Sequence, residues 1–336
     1  MFKSPLIAVV AALSLLAPAT ALAGSMDEQL VAQRHGLDMY KVEQFVDMQP
    51  EQEIDSMELR CNNGDYAVDG MWRVDQVNFN FQIDDPGPWG DWNRYNGVDV
   101  HESESVADDT WAFSFENLTE EQAQAHVWIT CLGKTTQGAE GDAHRHKIVI
   151  SDLVEHTDTV PGGAVTFLNV GGQQCAKGEV AVAPGFLVPD GQLKPFRSWP
   201  SANLRGWELG IYTQDDPDVT TSFRCLKVRT DKAGKGNGHR HDLKIKFRTR
   251  QIGVKRHFVD QLKVDCGQTE KGLVGAYDIR GNTGWSHEYE NHKLWYIGQE
   301  PQIKARVFHI WNHSGDDWTP DFGLLCFDDR VSPRSR

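Results

Sequence analysis

The chain has 336 residues, 34 Lys and Arg against 48 Asp and Glu, a net charge of −14, and six Cys. That length exceeds what one hydrophobic core comfortably fills and suits two or three domains. The charge argues against nucleic acid or an anionic membrane surface as partner, and 39% apolar with 24% charged residues excludes a disordered or membrane-embedded chain.

Residues 1–23 read as an export leader. Lys3 supplies the basic end, Leu6 to Leu16 an apolar run too short to span a membrane, and Ala21-Leu22-Ala23 a small-x-small site before Gly24. Removing it leaves about 313 residues. Residues 27–48 send two signals: Leu30, Leu37, Val42 and Phe45 tolerate a helical face, whereas the internal repeat described below predicts a strand there.

Further along, the apolar period is two, which indicates half-buried strands. Met57, Leu59 and Cys61 share a phase, as do Val127, Ile129 and Cys131. Between them lie an aromatic segment, Pro86 to Tyr95, and a strand–turn–strand with its polar turn at Asn117 to Glu121, read as a hairpin. A Gly-bearing linker, Gly133 to Ala143, precedes His144-Arg145-His146. The series then recurs: Cys175, an aromatic segment Pro195 to Trp199, a turn at Thr213 to Asp218, and Thr221, Phe223 and Cys225 in one phase. After a second linker, Ala233 to Gly238, come His239-Arg240-His241, the Leu262, Val264 and Cys266 phase, aromatic residues at 284–289, a turn at Asn312 to Asp317, and Leu324 with Cys326.

Three copies of one unit therefore follow each other. An Arg-His anchor opens each one, at Arg34-His35, Arg145-His146 and Arg240-His241. Six Cys allow fifteen pairings, and the repeat favours Cys61 with Cys131, Cys175 with Cys225, and Cys266 with Cys326. These readings predict an all-β protein of three disulfide-pinned, β-sandwich-like domains at 27–132, 144–226 and 239–330. A single pseudo-threefold barrel or prism is the alternative.

The middle copy, with Cys175-Ala176-Lys177-Gly178, Gly185-Phe186, Ser198-Trp199-Pro200, Gly206-Trp207 and Cys225, resembles the Cys-paired β repeats of secreted bacterial proteins of unknown function. The other copies fit more loosely. The resemblance implies export and a β fold, and no catalytic residue.

Two sets of side chains carry candidate chemistry. Residues i and i+2 of a strand share a face, so His144 with His146, and His239 with His241, could each offer two imidazoles to Zn²⁺ or Cu²⁺. The first copy has Gln33-Arg34-His35 and loses the pair, so a structural role for the repeated Arg-His is the plainer reading. Trp89, Trp92, Tyr95, Phe196, Trp199, Trp285 and Tyr289 would provide apolar faces with polar rims for a sugar ring or a protein partner. Acidic turns at Asp215, Asp216 and Asp218, and at Asp316, Asp317 and Asp321, lack a calcium-loop pattern and read as solvated turns. Asn117-Leu118-Thr119 and Asn312-His313-Ser314 match glycosylation acceptors, but Asn already serves the turn.

No Gly-x-Ser-x-Gly elbow or His-Glu-x-x-His helix is present, and six paired Cys leave no thiol nucleophile. The sequence thus points to an exported, periplasmic or extracellular, non-enzymatic binding or structural protein that requires no cofactor and inserts in no membrane. Its partner would be an envelope protein, a glycan or a further copy of itself. A glycan-binding protein and a periplasmic transition-metal-binding protein are the alternatives.

Overall fold

A computed structural model of the chain describes residues 35–76, 98–118, 120, 122–138, 144–189, 193–213, 215–233, 239–256, 258–280, 294–312, 317–328 and 330–331. The first copy forms β1 (Met39–Met48), β2 (Glu53–Arg60), β3 (Tyr66–Gln76), β4 (Val98–Ala107), β5 (Thr110–Asn117) and β6 (Ala123–Leu132). The second forms β7 (Val154–Thr159), β8 (Val165–Leu168), β9 (Glu179–Leu187), β10 (Leu193–Pro200), β11 (Trp207–Thr213) and β12 (Asp218–Lys227). The third forms β13 (Ile245–Gln251), β14 (Phe258–Asp265), β15 (Glu270–Asp278), β16 (Leu294–Gln302), β17 (Ala305–Asn312) and β18 (Asp321–Asp328). Within the stretch that tolerated a helical pattern, Met39–Met48 form strand β1, as the repeat predicts; residues 27–34 lie outside the described residues.

The protein is all-β, with three six-stranded antiparallel sheets and three disulfides. Their orders are β1-β6-β3-β16-β17-β14, β13-β18-β15-β10-β11-β8, and β2-β5-β4-β9-β12-β7. Each copy supplies its first, sixth and third strands to one sheet and its fourth, fifth and second strands to another. Every sheet is therefore completed by a neighbouring copy, and the three sheets form a cycle. The joins are short, at β3–β16 (Gly298 opposite Arg73), β15–β10 (Arg197 opposite Asp278) and β9–β4 (Phe186 opposite Ser103).

The disulfides are Cys61–Cys131, Cys175–Cys225 and Cys266–Cys326, with Cα atoms 5.7, 5.5 and 5.8 Å apart. Each ties a residue just after or beyond its copy's second strand to the sixth strand of the other sheet, so it clamps two three-stranded layers together. An acidic residue follows four positions after each first Cys, at Asp65, Glu179 and Glu270. Glu179 accepts the Ala176 N–H at 3.1 Å, and Glu270 accepts the equivalent Gly267 N–H at 2.7 Å. Asp65 instead accepts a hydrogen bond from the Tyr40 hydroxyl at 2.9 Å.

One expectation needs correction. The polar turns after Asn117, Thr213 and Asn312 do not close hairpins: β5 and β6 lie in different sheets, as do β11 and β12, and β17 and β18. The hairpins are β4–β5, β10–β11 and β16–β17. Asn117 and Asn312 are fully buried at these crossovers, donating to Gln49 O at 2.9 Å and Val254 O at 3.1 Å. Each side chain therefore ties its crossover to a distant segment of the same copy and not to its own turn.

The centre is where the copies differ. Trp111 and Trp207 occupy equivalent places and donate through their indole N–H to Ser103 Oγ at 3.1 Å and Ser198 Oγ at 2.9 Å. The third copy has Arg306 and Gln299 there, and Arg306 donates to Asp69 of the first copy at 2.6 Å, with both side chains almost fully buried. Gly70 and Gly275 make this packing possible, since a Cβ at Gly70 would come within 2.1 Å of the Trp111 ring, and one at Gly275 within 2.1 Å of Gln299 Oε1. Burial pushes the Asp69 carboxyl up, to about 7, against the pull of Arg306 and the Gly275 N–H.

Two outcomes follow from these buried charges. Asp69→Val leaves a buried guanidinium without its counter-ion and should cost about 3–5 kcal/mol in urea unfolding, whereas Asp69→Val with Arg306→Met should recover most of it. A double variant no more stable than the single would show that charge pairing is not what matters. At Glu270, burial favours the protonated form but is outweighed by Lys246, the Gly267 N–H and Arg248, which hold its carboxyl down from 4.5 to about 2. A depressed folded-state value stabilises above the unfolded value, and the benefit disappears as pH falls from about 4.5 to about 2. Glu270→Gln should accordingly lose about 1–2 kcal/mol at pH 7, discounted for exposed partners, and converge with wild type near pH 2. An equal deficit at both pH values would contradict the ion-pair account.

Candidate metal centre

The residues that open each copy do not end in loops. They form a collar of short paired segments around the pseudo-threefold axis, in which each opening segment alternates with the segment that follows a sixth strand. Gln137 N–H donates to Gly36 O at 2.9 Å, Thr136 N–H to His146 O at 2.9 Å, Asp231 N–H to Lys147 O at 2.9 Å, and Thr230 N–H to His241 O at 3.0 Å. At the far end of the chain, Val331 N–H donates to His35 O at 2.9 Å, so the last described residues pair with the first. Thr136 and Thr230 also take the N–H of His146 and His241 on their hydroxyls, both at 3.0 Å.

This pairing fixes the alternation of side chains. Leu37, Ile148 and Leu243, two residues beyond each anchor histidine, are buried together in a cluster drawn from all three copies. Above that layer, His35, His146 and His241 are each fully buried. Their ring centroids form a triangle with sides of 4.9, 5.0 and 4.5 Å. His144 and His239 are half-buried and stand on its solvent side, 5.1 Å from each other.

The imidazoles are oriented as metal ligands usually are. His35 Nδ1 lies 3.0 Å from Gln137 O, and His146 Nδ1 lies 3.2 Å from Asp231 O. A ring bound to a carbonyl through Nδ1 carries its proton there, so the Nε2 lone pair faces the other way. His146 Nε2 is buried and has no hydrogen-bond partner. Burial holds the His146 imidazole down to about 4, the Asp231 carbonyl opposing this and His241, His35 and His239 adding to it. It is therefore neutral at pH 7, the form that binds metal.

One ligand nitrogen from each of His35, His146, His239 and His241 lies within 4.8 Å of the other three. Nitrogens on a common ion at ~2.0–2.1 Å sit about 3–4 Å apart, so small side-chain rotations would complete coordination. No Cys competes, because all six are in disulfides. An all-imidazole set suits Zn²⁺ or Cu²⁺ and disfavours Ca²⁺ or Mg²⁺, which take oxygen ligands.

The four histidines singled out by sequence are thus brought together with a fifth, His35, which the sequence reading set aside because it lacks an i−2 partner. The signal that could have found it was the Arg-His anchor itself, repeated in three copies. His35 and His146 also tie neighbouring segments together through their Nδ1 atoms, the structural role that the repeated Arg-His suggested.

The aromatic candidates fare differently. Trp89, Trp92, Tyr95, Trp285 and Tyr289 lie outside the described residues. Phe196 corrects the reading of residues 195–199 as an exposed loop: they belong to strand β10, and a bulge between Pro195 and Arg197 turns the Phe196 ring wholly into the core. Trp199 is half-buried, edge-on to Phe247 at 5.2 Å and under the Arg197 guanidinium. The acidic turns are engaged with protein groups, Asp216 accepting the Gly162 N–H and Asp317 pairing with Lys255 at 2.8 Å; Asp316 lies outside the described residues.

If the Nδ1–carbonyl bonds set ring orientation, the His146 ring should show the Nδ1-H tautomer by ¹⁵N NMR at pH 7. An Nε2-H signal there would overturn the orientation argued above. No protein-family model matches the chain, and no curated protein matches it.

Proposed function

We propose that this protein binds a transition metal, Zn²⁺ or Cu²⁺, in a compartment outside the cytoplasm, with one ion on the pseudo-threefold axis among His35, His144, His146, His239 and His241. Three disulfides fit a secreted or extracellular protein, and no helix among the described residues is long and apolar enough to cross a membrane. The observation that carries the reading is the buried triangle of His35, His146 and His241, one imidazole from each copy. Burying His146 Nε2 with no hydrogen-bond partner forgoes hydration for little gain, whereas a cation would take up that lone pair in the midst of the other imidazoles.

The alternative use of such a cluster is purely structural, with the rings serving the collar's backbone. Metal content separates the two. Protein purified without chelator and then titrated with Zn²⁺ should bind one equivalent, with a rise in melting temperature that EDTA reverses. His146→Ala should abolish tight binding, and His144→Ala or His239→Ala should weaken it roughly 10–100-fold. Circular dichroism and disulfide mapping of each variant would show that the fold is retained. Substoichiometric metal that is unchanged in His144→Ala and His239→Ala would retire the proposal.

A further inference from the structure

Pairing between copies leaves one edge of each three-stranded layer open, so the three sheets end on β1 and β14, β13 and β8, and β2 and β7. β1 and β2 lie side by side at one corner of the molecule, and β13 and β14 at another. An open edge offers unpaired backbone to any strand that meets it and is normally protected by charge. Here the sign of that charge differs between the two corners.

Residues 39–60, which form the β1–β2 corner, include six acidic and two basic residues, a net charge of −4. Both cations are spent within the corner, Lys41 on Glu43 at 2.8 Å and Arg60 on Glu58 at 2.6 Å. Glu51, Glu53 and Asp55 are exposed and enter no salt bridge among the described residues. Residues 245–265, which form the β13–β14 corner, include six basic and two acidic residues, a net charge of +4. Glu270 engages Lys246 and Arg248, and Asp317 engages Lys255. Arg250 and Arg256 remain exposed and enter no salt bridge among the described residues.

One molecule cannot bring these two corners together. β1 and β14 are opposite ends of the same six-stranded sheet, and five strand spacings of ~4.8 Å put them about 24 Å apart. That exceeds the screening length of ~8 Å at physiological salt. Between molecules, two acidic corners repel and so do two basic ones, which leaves the mixed pairing. A bulge in β2, where Ser56 has φ of +43°, breaks the regular strand edge, so side-chain charge and not an extended ladder carries the contact. Phe45, 58% exposed on β1, adds an apolar face on which a guanidinium can rest.

We infer that the β13–β14 corner of one molecule docks on the β1–β2 corner of a second copy of this chain, head to tail. The corner formed by β7 and β8 is the poorer acceptor, since those strands have only six and four residues. The inference does not depend on the metal-binding reading.

Sedimentation of the full-length protein with its disulfides intact tests it. In ~0.1 M salt the average mass should rise above the monomer's with protein concentration, and near ~1 M salt, where the screening length falls to ~3 Å, it should return. Glu51→Lys with Glu53→Lys and Asp55→Lys, and separately Arg250→Glu with Arg256→Glu, should each weaken association roughly tenfold or more. An equimolar mixture of the two variants should restore it, because each keeps the corner that the other has lost. Wild type that stays monomeric at every concentration in ~0.1 M salt would overturn the inference. Association kept by the Lys variant but lost by the Glu variant would overturn the assignment to β1–β2 and point to another acidic face. A mixture that stays monomeric, with both variants retaining wild-type circular dichroism, would overturn the pairing of these two corners.

Discussion

The hydrogen bond from Val331 N–H to the His35 carbonyl closes the molecule. The first and second copies are joined by the chain, and so are the second and third, but the third meets the first only through non-covalent contacts. At the collar that contact is the Val331–His35 bond and the Gly36–Arg330 bridge; within the sheets it is the β3–β16 join. Without closure, β1-β6-β3 would end in an exposed edge, and β16-β17-β14 would have no neighbour. Closure also determines chemistry, since His35 reaches the axis only as part of the segment held by Val331 on one side and Gln137 on the other.

Exchange of half-sheets explains why the copies cohere although each join is short. A three-stranded layer on its own presents two open edges, and pairing it with the neighbour's layer covers one of them. The disulfides act across the sheets, clamping the two layers of one copy while the backbone pairs couple different copies. Strict repetition then breaks at two levels along the axis. In the interior, two Trp–Ser pairs give way to Arg306, Gln299 and a charge partner borrowed from the first copy. At the collar, His144 and His239 accompany two of the three inner histidines, and in the sequence the first copy has Gln33 at the matching position, outside the described residues.

Much of the fold was legible because strand alternation is local. Five of the six Cys shared a phase with their core neighbours, and symmetry selected the pairing that the structure contains. The strand–turn–strand units after Asn117, Thr213 and Asn312 were read as hairpins because a short polar turn between strands normally closes one. Nothing local says that the two strands belong to different sheets; the crossover is decided by which edges the neighbouring copies leave open. Phe196 was misplaced because Pro and aromatic residues made 195–199 read as an inter-strand loop, whereas the segment is strand β10 with a bulge that turns the ring into the core. His35 was set aside because the pair was sought within one strand, whereas the site is assembled across three copies, one imidazole from each.

The central claim is that three copies converge so that one imidazole from each shares a metal on the common axis. Anomalous diffraction at the metal edge, from crystals of the metal-loaded protein, tests it most directly. The account predicts one strong peak within coordinating distance of His35, His146 and His241 together. A peak that contacts His144 and His239 without the inner three, or none among the histidines in protein shown to carry metal, would contradict it.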